Sequence, residues 1–501
     1  MSFTLETFYI TSPIYYVNDV AHIGHTSTNL ICDIIARFKR LDGYQVKFLT
    51  GTDEHGQKIE KSALKAGISP QEFTNKVSQT FVNLNQVMNF SNDDFIRTTE
   101  ERHKKTVIKI WNKLLASGNI YLGKYAGWYA VRDEAFYAES ELVDGKAPTG
   151  AEVEWVEESS YFFKLSAWQD KLIEFYENNP GFIMPESRRN EVISFVKSGL
   201  NDLSISRTSL TWGIKVPGEE KHVIYVWLDA LFNYYSAIDN DAEKKFWPCD
   251  LHVIGKDILR FHAVYWPAFL MAADIELPKC IFAHAWWTNN SEKMSKSIGN
   301  VIDPIKLVEE FGLDYVRYFL AREMPYGNDK DYSRDIFISR INSDLCNNVG
   351  NLVQRVLSFV NKYCEGKIPT ANFDSVDTML LNHAYGMVRN FKGHLEGAQI
   401  GLAVAEILEL ATEANKYVDF QAPWNLRKTD TARMETVLYT LMEVIRVIGI
   451  LLQPFIPNAA EKILDMLMVQ ERNFALVNED AALKTGVSLP APSIVFPKIE
   501  G

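Results

Sequence analysis

Near the N-terminus, two histidines, His22 and His25, lie on either side of a short stretch that contains Gly24. An apolar run at 8–11 predicts a buried strand before them, and apolar residues at helical spacing over 31–41 predict a helix after them. The first N–H groups of a helix are unpaired and its dipole favours anions, so this junction suits a phosphate. Gly24 would let a phosphate approach the backbone closely. The histidines can donate hydrogen bonds to it; the alternative is that they cap or pack the helix start.

Two lysines far downstream, Lys293 and Lys296, lie in a Ser- and Gly-bearing stretch that follows the apolar run 280–285. Lysines at this spacing suit a clamp on a polyphosphate, whereas the stretch taken alone would be read as a solvated basic loop. Together, the sequences HIGH and KMSKS in this order resemble the signature of class I aminoacyl-tRNA synthetases. The two sequences together are a much more specific signature of this class than either sequence alone.

A carboxylate, Asp53, follows the second predicted strand, 45–50, at the edge of the sheet where α/β folds bind ligands. It could hold a substrate ammonium group, or it could cap the helix predicted from Gln57. His55 lies close by in sequence, but phosphate contact accounts for the other two histidines of this region. We therefore predict no metal site here.

Composition bounds the class of protein. A chain of 501 residues with 47% hydrophobic and 23% charged residues predicts a soluble globular protein of two or three domains. No signal peptide is predicted, and the most apolar late stretch, 444–456, is too short to span a bilayer. Five cysteines without CxxC spacing argue for a reducing compartment, no disulfide framework and no cysteine-ligated zinc. A net charge of −12 counts mildly against nucleic acid as a partner but does not exclude a local basic patch.

Longer stretches extend the resemblance along nearly the whole chain. They are similar to the methionyl-tRNA synthetase family, in its bacterial and organellar branch without zinc-binding cysteines. They read SPIYYVNDVAHIGH, FLTGTDEHGQKI, YVWLDAL, IGKDILRFHAVYWPAFL, WWTNNSEKMSKSIGNVIDP and CNNVGNLVQR.

The elements needed to position these groups define the predicted fold class, α/β with an all-α addition. A Rossmann-type parallel-sheet catalytic domain is expected at 1–117 and 220–325, interrupted by a connective insertion at 118–219. A hinge at 326–335 should lead into a helix bundle over 336–501, which the resemblance makes the anticodon-binding domain. Many relatives carry a zinc knuckle in the insertion; here 120–163 has no cysteine, so a metal-free knuckle and no structural zinc are expected.

The resemblance implies a methionine--tRNA ligase of the cytoplasm that forms methionyl-adenylate from L-methionine and ATP with Mg²⁺. Initiator and elongator tRNA(Met) would be the acceptors, for translation initiation and elongation. Carried over by motif, the methionine pocket would consist of Pro13, Ile14, Tyr16, Asp53 on the ammonium group, Trp227, Ala230, Leu231, Tyr234, Ile258, His262 and Trp266.

The resemblance also assigns the ATP site. His22, Gly24 and His25 would meet the phosphates, and Lys293 and Lys296 would neutralise the leaving pyrophosphate. The ribose and adenosine would be met by Gly255 and Asp257.

The chemistry of methionine agrees with this assignment. Its side chain offers no strong hydrogen-bonding group, so selection must come from pocket shape and aromatic–sulfur contacts of ~0.3–1.5 kcal/mol each. Discrimination among isoleucine, valine and leucine usually needs a second hydrolytic domain, because a missing methylene changes binding by only ~1–3 kcal/mol. The insertion leaves no room for such a domain, which favours methionine.

Polar residues on one predicted helix face, Asn347, Asn351 and Arg355, stand four apart, and Trp424 follows Pro423. The resemblance makes these four residues the readers of the CAU anticodon, with Trp424 stacking on a base. Without it, a solvated face and a packing tryptophan would be favoured. Some relatives dimerise through an appended tRNA-binding domain, and since none is seen after the bundle, a monomer is expected. No membrane association is expected either, because 444–456 is too short to span a bilayer.

Two other classes of function compete with this prediction. A small-molecule nucleotidyltransferase shares the phosphate site but does not need the helix bundle. A non-catalytic tRNA-binding paralogue predicts loss of His25, Lys293 or Lys296, and all three are present.

Overall fold

The structure is a computed structural model that describes residues 5–17, 21–133, 135–137, 139–289, 291–294 and 300–500. In chain order the strands are β1 (Thr7–Thr11), β2 (Tyr15–Tyr16), β3 (Gln45–Asp53), β4 (Asp94–Arg97), β5 (Ile120–Ala130), β6 (Ala135–Tyr137), β7 (Glu154–Phe163), β8 (Ile183–Met184), β9 (Leu203–Ser204), β10 (Ser206–Arg207), β11 (Lys215–Val216), β12 (Glu219–Ile224), β13 (Leu251–Gly255), β14 (Ile281–His284), β15 (Trp287–Asn289), β16 (Glu292–Lys293) and β17 (Lys330–Asp331).

Helices connect these strands and form most of the C-terminal part. They are α1 (Ile23–Leu41), α2 (Gln57–Ala66), α3 (Pro70–Val87), α4 (Glu101–Ala116), α5 (Gln169–Asn178), α6 (Glu186–Lys197), α7 (Val226–Leu231), α8 (Asn233–Ser236), α9 (Trp266–Ala272), α10 (Pro304–Phe311), α11 (Leu313–Arg322), α12 (Arg334–Arg340), α13 (Asn351–Tyr363), α14 (Ser375–Gly386), α15 (Val388–Glu396), α16 (Ile400–Gln421), α17 (Pro423–Thr429), α18 (Thr431–Leu452) and α19 (Pro457–Met466).

The central sheet is parallel and has β1 in its middle. Ile10 of β1 pairs with Phe48 of β3 on one side and with Leu251 of β13 on the other. Beyond β13 lie β14 and β8, while β2 and β4 both pair with β3. Side chains of β1 are buried on both faces, as an internal parallel strand requires. The predicted Rossmann-type parallel sheet is therefore confirmed.

The direction of winding reverses at β1. The chain runs outward from β1 to β3 and β4 and later returns to β13 on the opposite side of β1. The carboxyl ends of β1 and β13 thus flank a topological switch point, which is where open α/β sheets bind their ligands. Both the His22–His25 segment and the Gly255–Asp257 segment begin there.

The insertion is built on a longer antiparallel pair than the short strands and turns that the sequence predicts. β5 and β7 pair over ten residues, from Ile120↔Phe163 to Tyr129↔Glu154, and Phe162 of β7 also pairs with Ser204 of β9. The knuckle-like segment between β5 and β7 packs Ala130 and Ala147 in a small apolar cluster.

The C-terminal part is a helix bundle, as predicted, and α16 and α18 pass through its centre. Every residue from Met434 to Leu452 except Glu435 is buried, which explains why the late stretch 444–456 is so apolar. In the described part of the chain, no helix is long and apolar enough to cross a membrane.

A buried arginine joins the bundle to the sheet domain. The Arg317 guanidinium on α11 donates to Asp33 Oδ2 of α1 at 2.6 Å, to the Met88 carbonyl at 3.0 Å and to the Phe455 carbonyl at 2.8 Å. Arg317 and Asp33 are both fully buried. One side chain thus fixes α1, the end of α3 and the α18–α19 connection together.

Candidate active site

A cavity of about 430 Å³ lies at the switch point. Most residues that the sequence predicts for the methionine and ATP sites line it. They are Pro13, Ile14, Tyr16, His22, Gly24, His25, Asp53, Trp227, Ala230, Leu231, Tyr234, Gly255, Asp257, Ile258 and His262.

The start of α1 is held by the two histidines. Nδ1 of His22 accepts from the Gly24 N–H at 3.0 Å, and Nδ1 of His25 accepts from the His22 N–H at 3.2 Å. A β-carbon at Gly24 would lie 2.8 Å from Cε1 of His22, so the ring occupies the space that a larger side chain would need. The capping role and the phosphate role predicted from sequence are therefore compatible.

The protonation of His25 follows from this geometry. Burial lowers the pKa of His25 well below its ordinary value, and the neighbouring His22 adds to the lowering. A neutral ring that accepts at Nδ1 must carry its proton on Nε2. His25 thus carries an uncharged N–H donor of fixed tautomer at Nε2.

The apolar end of the cavity contains a fixed polar pair. His262 Nδ1 lies 3.0 Å from the Ile258 carbonyl oxygen, which can only accept, so Nδ1 carries the proton. Nε2 then accepts from the Tyr234 hydroxyl at 2.7 Å. Burial lowers the pKa of His262 to about 4, although the Ile258 hydrogen bond and Asp257 oppose it. The pair is uncharged at neutral pH, as suits a pocket for an apolar side chain.

Two tryptophans predicted for the methionine pocket have different positions. Trp227 lines the cavity and stacks on Phe261, with ring centroids 3.6 Å apart. Trp266 is fully buried behind the cavity, where it meets the edge of Tyr234 and donates from Nε1 to Nε2 of His252 at 3.2 Å. Trp266 therefore supports the pocket wall without lining it.

Another part of the cavity wall is built at the carboxyl end of β13. A β-carbon at Gly255 would lie 2.6 Å from Asp257 Oδ1, so the carboxylate folds back over the glycine. The same oxygen accepts from Trp286 Nε1 at 3.0 Å. Asp257 is thereby held in a fixed orientation in the cavity wall, and the ribose and adenosine roles of Gly255 and Asp257 stay predictions.

The two predicted lysines differ in what the structure describes. The backbone of Lys293 lies in β16, where it pairs with Thr288 of β15. Met294, the next residue, is buried and lines the cavity. Lys296 lies outside the described residues.

Several cavity residues escape the prediction. Lys58 and Asp133 line the cavity from α2 and the insertion. His284, at the carboxyl end of β14, accepts from Thr28 Oγ1 of α1 at 2.8 Å through Nε2, because its Nδ1 faces the Ala285 carbonyl at 2.7 Å. The rule that polar residues at strand ends face the ligand would have found His284; nothing local marks the others.

A buried carboxylate braces the cavity wall. Asp229 accepts from His55 Nδ1 at 2.6 Å and from His103 Nε2 at 2.7 Å, and all three side chains are buried. Burial alone would raise the pKa of Asp229, but His55 and His103 hold it at about 2. The charged carboxylate fixes α7, which carries Trp227 and Ala230 into the cavity.

Metal ligands are absent from the part of the chain that the structure describes: no three His, Cys, Asp or Glu side chains meet as a metal site there. In the knuckle, Asp133 accepts from the Tyr137 hydroxyl at 3.0 Å and from the Thr149 hydroxyl. These residues are hydrogen-bonded to each other and do not form the thiolate or imidazole set that zinc prefers.

The four residues predicted to read the anticodon lie on the bundle. Asn347 and Asn351 are exposed at the junction between a π-helical segment, Ile341–Gly350, and α13. Arg355 donates to Asp419 at 2.9 Å, and its guanidinium lies 5.7 Å from the ring centre of Trp424. Trp424 is 41% exposed in the first turn of α17.

Two models of known protein families match the sequence of this chain. The family model described as tRNA synthetases class I (M) matches residues 8–154 and 140–357. The model described as the anticodon binding domain of methionyl tRNA ligase matches residues 368–501. The chain belongs to the class I tRNA synthetases.

Individual relatives show which family within this class the chain belongs to. The methionine--tRNA ligase of Rickettsia felis is 59% identical, over 99% of this chain and 99% of its own. That of Brucella suis is 54% identical, over 98% of both chains. Within the class, the chain is a member of the methionyl-tRNA synthetase family.

Solved structures of a methionyl-tRNA synthetase are similar to the fold of this chain. The chain is similar to Mycobacterium tuberculosis methionyl-tRNA synthetase in complex with methionyl-adenylate, with a TM-score of 0.95 and 48% identity over 98% of this chain and 100% of that one. The apo form of the same synthetase matches with a TM-score of 0.90 and 45% identity.

Proposed function

We propose that this chain activates L-methionine with ATP to form methionyl-adenylate and transfers the methionyl group to tRNA(Met). The observation that carries the proposal is a single cavity that joins an uncharged apolar end, at Tyr234 and His262, to the donor-rich start of α1. Such a cavity fits an aminoacyl-adenylate, in which an apolar side chain and a phosphate lie at opposite ends. The mycobacterial relative carries that molecule.

In the first step, a methionine carboxylate oxygen forms a bond to the α-phosphorus of ATP. The bond from that phosphorus to the bridging oxygen breaks, and pyrophosphate leaves with the electron pair. This chemistry needs positioning and charge stabilisation more than covalent catalysis. His22 and His25 donate to phosphate oxygens, and Lys293 and Lys296 neutralise the charge that develops on pyrophosphate.

Asp53 orients the substrate through its ammonium group. It stands at the carboxyl end of β3 and lines the cavity. Gly255 and Asp257 meet the ribose and adenosine. ATP would enter as its Mg²⁺ complex, in which the ion would neutralise part of the phosphate charge. No structural zinc is part of this proposal; in the knuckle, Asp133 accepts from the Tyr137 and Thr149 hydroxyls.

In the second step, the 3′-terminal adenosine of the tRNA attacks the methionyl carbonyl carbon and AMP leaves. Asn347, Asn351, Arg355 and Trp424 select the anticodon of both initiator and elongator tRNA(Met). The enzyme acts as a monomer in the cytoplasm, with the sheet domain, the insertion, the 326–335 connection and the bundle as its units.

The test is methionine-dependent ATP–pyrophosphate exchange, measured with each of the twenty amino acids. We expect exchange with methionine alone, its loss in Lys296→Ala and its retention in Lys306→Ala, an exposed lysine on α10. Exchange with leucine or isoleucine, or with no amino acid, would contradict the proposal. Charging of tRNA(Met) transcripts that retain or lack the CAU anticodon tests the second step.

A further inference from the structure

A short hairpin carries the chain from β14 into the cavity. β15 and β16 pair antiparallel through Thr288↔Lys293 and Asn289↔Glu292. The residue after β16, Met294, is buried and lines the cavity. The orientation of this hairpin therefore sets how the backbone at Lys293 faces the ATP end of the site.

The backbone of Ser291, just before β16, has a conformation that is costly for a residue other than glycine. Ser291 has φ +61°, in the left-handed region that non-glycine residues rarely adopt. Its N–H donates to Asp331 Oδ1 at 2.9 Å. The same oxygen accepts from Thr288 Oγ1 at 2.9 Å. One carboxylate oxygen thus holds both the turn and the strand that enters it.

Asp331 is itself fixed, because it belongs to a third strand of this small sheet. β17 pairs parallel with β15 through Trp287↔Lys330 and Thr288↔Asp331. Asp329 lies just before β17, and its Oδ1 accepts from the Trp286 N–H at 2.9 Å and from Lys256 Nζ at 2.6 Å. The segment predicted as a hinge is therefore fastened to the active-site side of the sheet domain.

We propose that Asp331 is a positioning residue for methionine activation: its carboxylate oxygen fixes the β15–β16 turn and so orients the strand that carries Lys293 beside ATP. The inference rests on the proposed function. Because β17 leads directly into α12, the residue also joins the first helix of the bundle to the ATP end of the cavity.

The role predicts a specific kinetic pattern. In Asp331→Ala, the kcat of methionine-dependent pyrophosphate exchange should fall on the order of 10- to 100-fold and the KM for ATP should rise. The KM for methionine should stay unchanged, because the apolar end is built on β1, α7 and the segment before α9. Asp331→Asn should stay within about threefold of wild type, since its amide oxygen can still accept both hydrogen bonds.

A second variant separates positioning from general stability. Ser291→Gly in the Asp331→Ala background should recover part of the lost rate, because glycine adopts the left-handed conformation without the carboxylate. Asp335→Ala, an exposed aspartate four residues further on in α12, should behave as wild type.

Three results overturn the inference. One is an active wild type with an unaffected Asp331→Ala variant. Another is an Asp331→Ala variant whose affinity for methionine and thermal stability fall together with its kcat, as general destabilisation would produce. The third is an absence of recovery in the Ser291→Gly double variant. A wild type without methionine-dependent exchange would instead contradict the proposed function itself.

Discussion

His22 and His25 cap the first turn of α1 together, His22 by accepting from the Gly24 N–H and His25 by accepting from the His22 N–H. Their rings lie 3.9 Å apart, centre to centre. Because both Nδ1 atoms accept, each neutral ring presents its Nε2 proton outward. Under the proposed function, the capping interaction also sets which ring nitrogen of each histidine can donate to a phosphate.

This arrangement predicts that the two functions of His25 can be separated. His25→Asn keeps a polar atom near the Nδ1 position and loses the Nε2 donor, whereas His25→Gln reaches the Nε2 position and loses the cap. We expect pyrophosphate exchange to fall on the order of 10²–10³-fold in His25→Asn with nearly unchanged thermal stability. His25→Gln should retain more activity and lose about 1 kcal/mol of stability. The reverse order of activities would contradict the fixed tautomer.

Sequence reasoning found the parts of the site that local pattern encodes. His22, His25, Asp53 and Asp257 follow predicted strands, and parallel strands bring their carboxyl ends to one edge. The parallel sheet was predicted from short apolar runs followed by helical spacing together with the family resemblance, and the helix bundle from long helical segments.

The remaining parts depend on contacts between distant segments. Asp229 meets His55 and His103 from 174 and 126 residues away, and no local pattern marks that meeting. Trp266, assigned to the methionine pocket by motif, lies behind the cavity wall, and a motif match does not give the distance of a side chain from the cavity. The domain boundaries and the role of each site residue stay predictions.

The buried histidine beside Tyr234 predicts a loss of stability in acid. The pKa of His262 is lowered to about 4 in the fold against about 6.5 in an unfolded chain, so the unfolded chain binds the proton first as pH falls. The contribution of neutral His262 to the free energy of unfolding is fully present above pH 6.5 and is lost progressively down to about pH 4. At pH 5 the loss from this group is about 2 kcal/mol.

Urea unfolding followed by tryptophan fluorescence at pH 7.5 and pH 5 checks this loss. His262→Gln cannot titrate, so its stability should fall by about 2 kcal/mol less than that of the wild type over the same interval. An equal fall in both proteins would show that His262 does not contribute.

Because Arg317 and Asp33 form a buried ion pair, we expect substitutions of these two residues to change the free energy of unfolding strongly and non-additively. Burial alone would raise the pKa of Asp33, but Arg317 and Arg37 hold it below its ordinary value. Arg317→Met leaves that carboxylate without its buried partner and should cost about 3–5 kcal/mol. Asp33→Asn in the same chain should recover part of the loss.

Chemical unfolding of the single and double variants measures this coupling. Arg334→Met is the matched control, because Arg334 and Glu310 form an exposed pair that should contribute at most about 1 kcal/mol. Equal costs for the two arginines would contradict the view that Arg317 joins the bundle to α1.

Stacking at the bundle predicts that Trp424 affects tRNA charging but not methionine activation. Trp424 is exposed beside Arg355, whose guanidinium is held by Asp419. A base stacked on an aromatic ring contributes about 1–3 kcal/mol, so Trp424→Ala should lower kcat/KM for tRNA(Met) by about 10- to 100-fold. Pyrophosphate exchange without tRNA should be unchanged, because the cavity lies in the sheet domain. Phe373→Ala, which removes an aromatic ring of similar exposure (43%), should charge tRNA normally. A parallel loss of exchange and charging in Trp424→Ala would identify a structural role for the ring and not recognition of the anticodon.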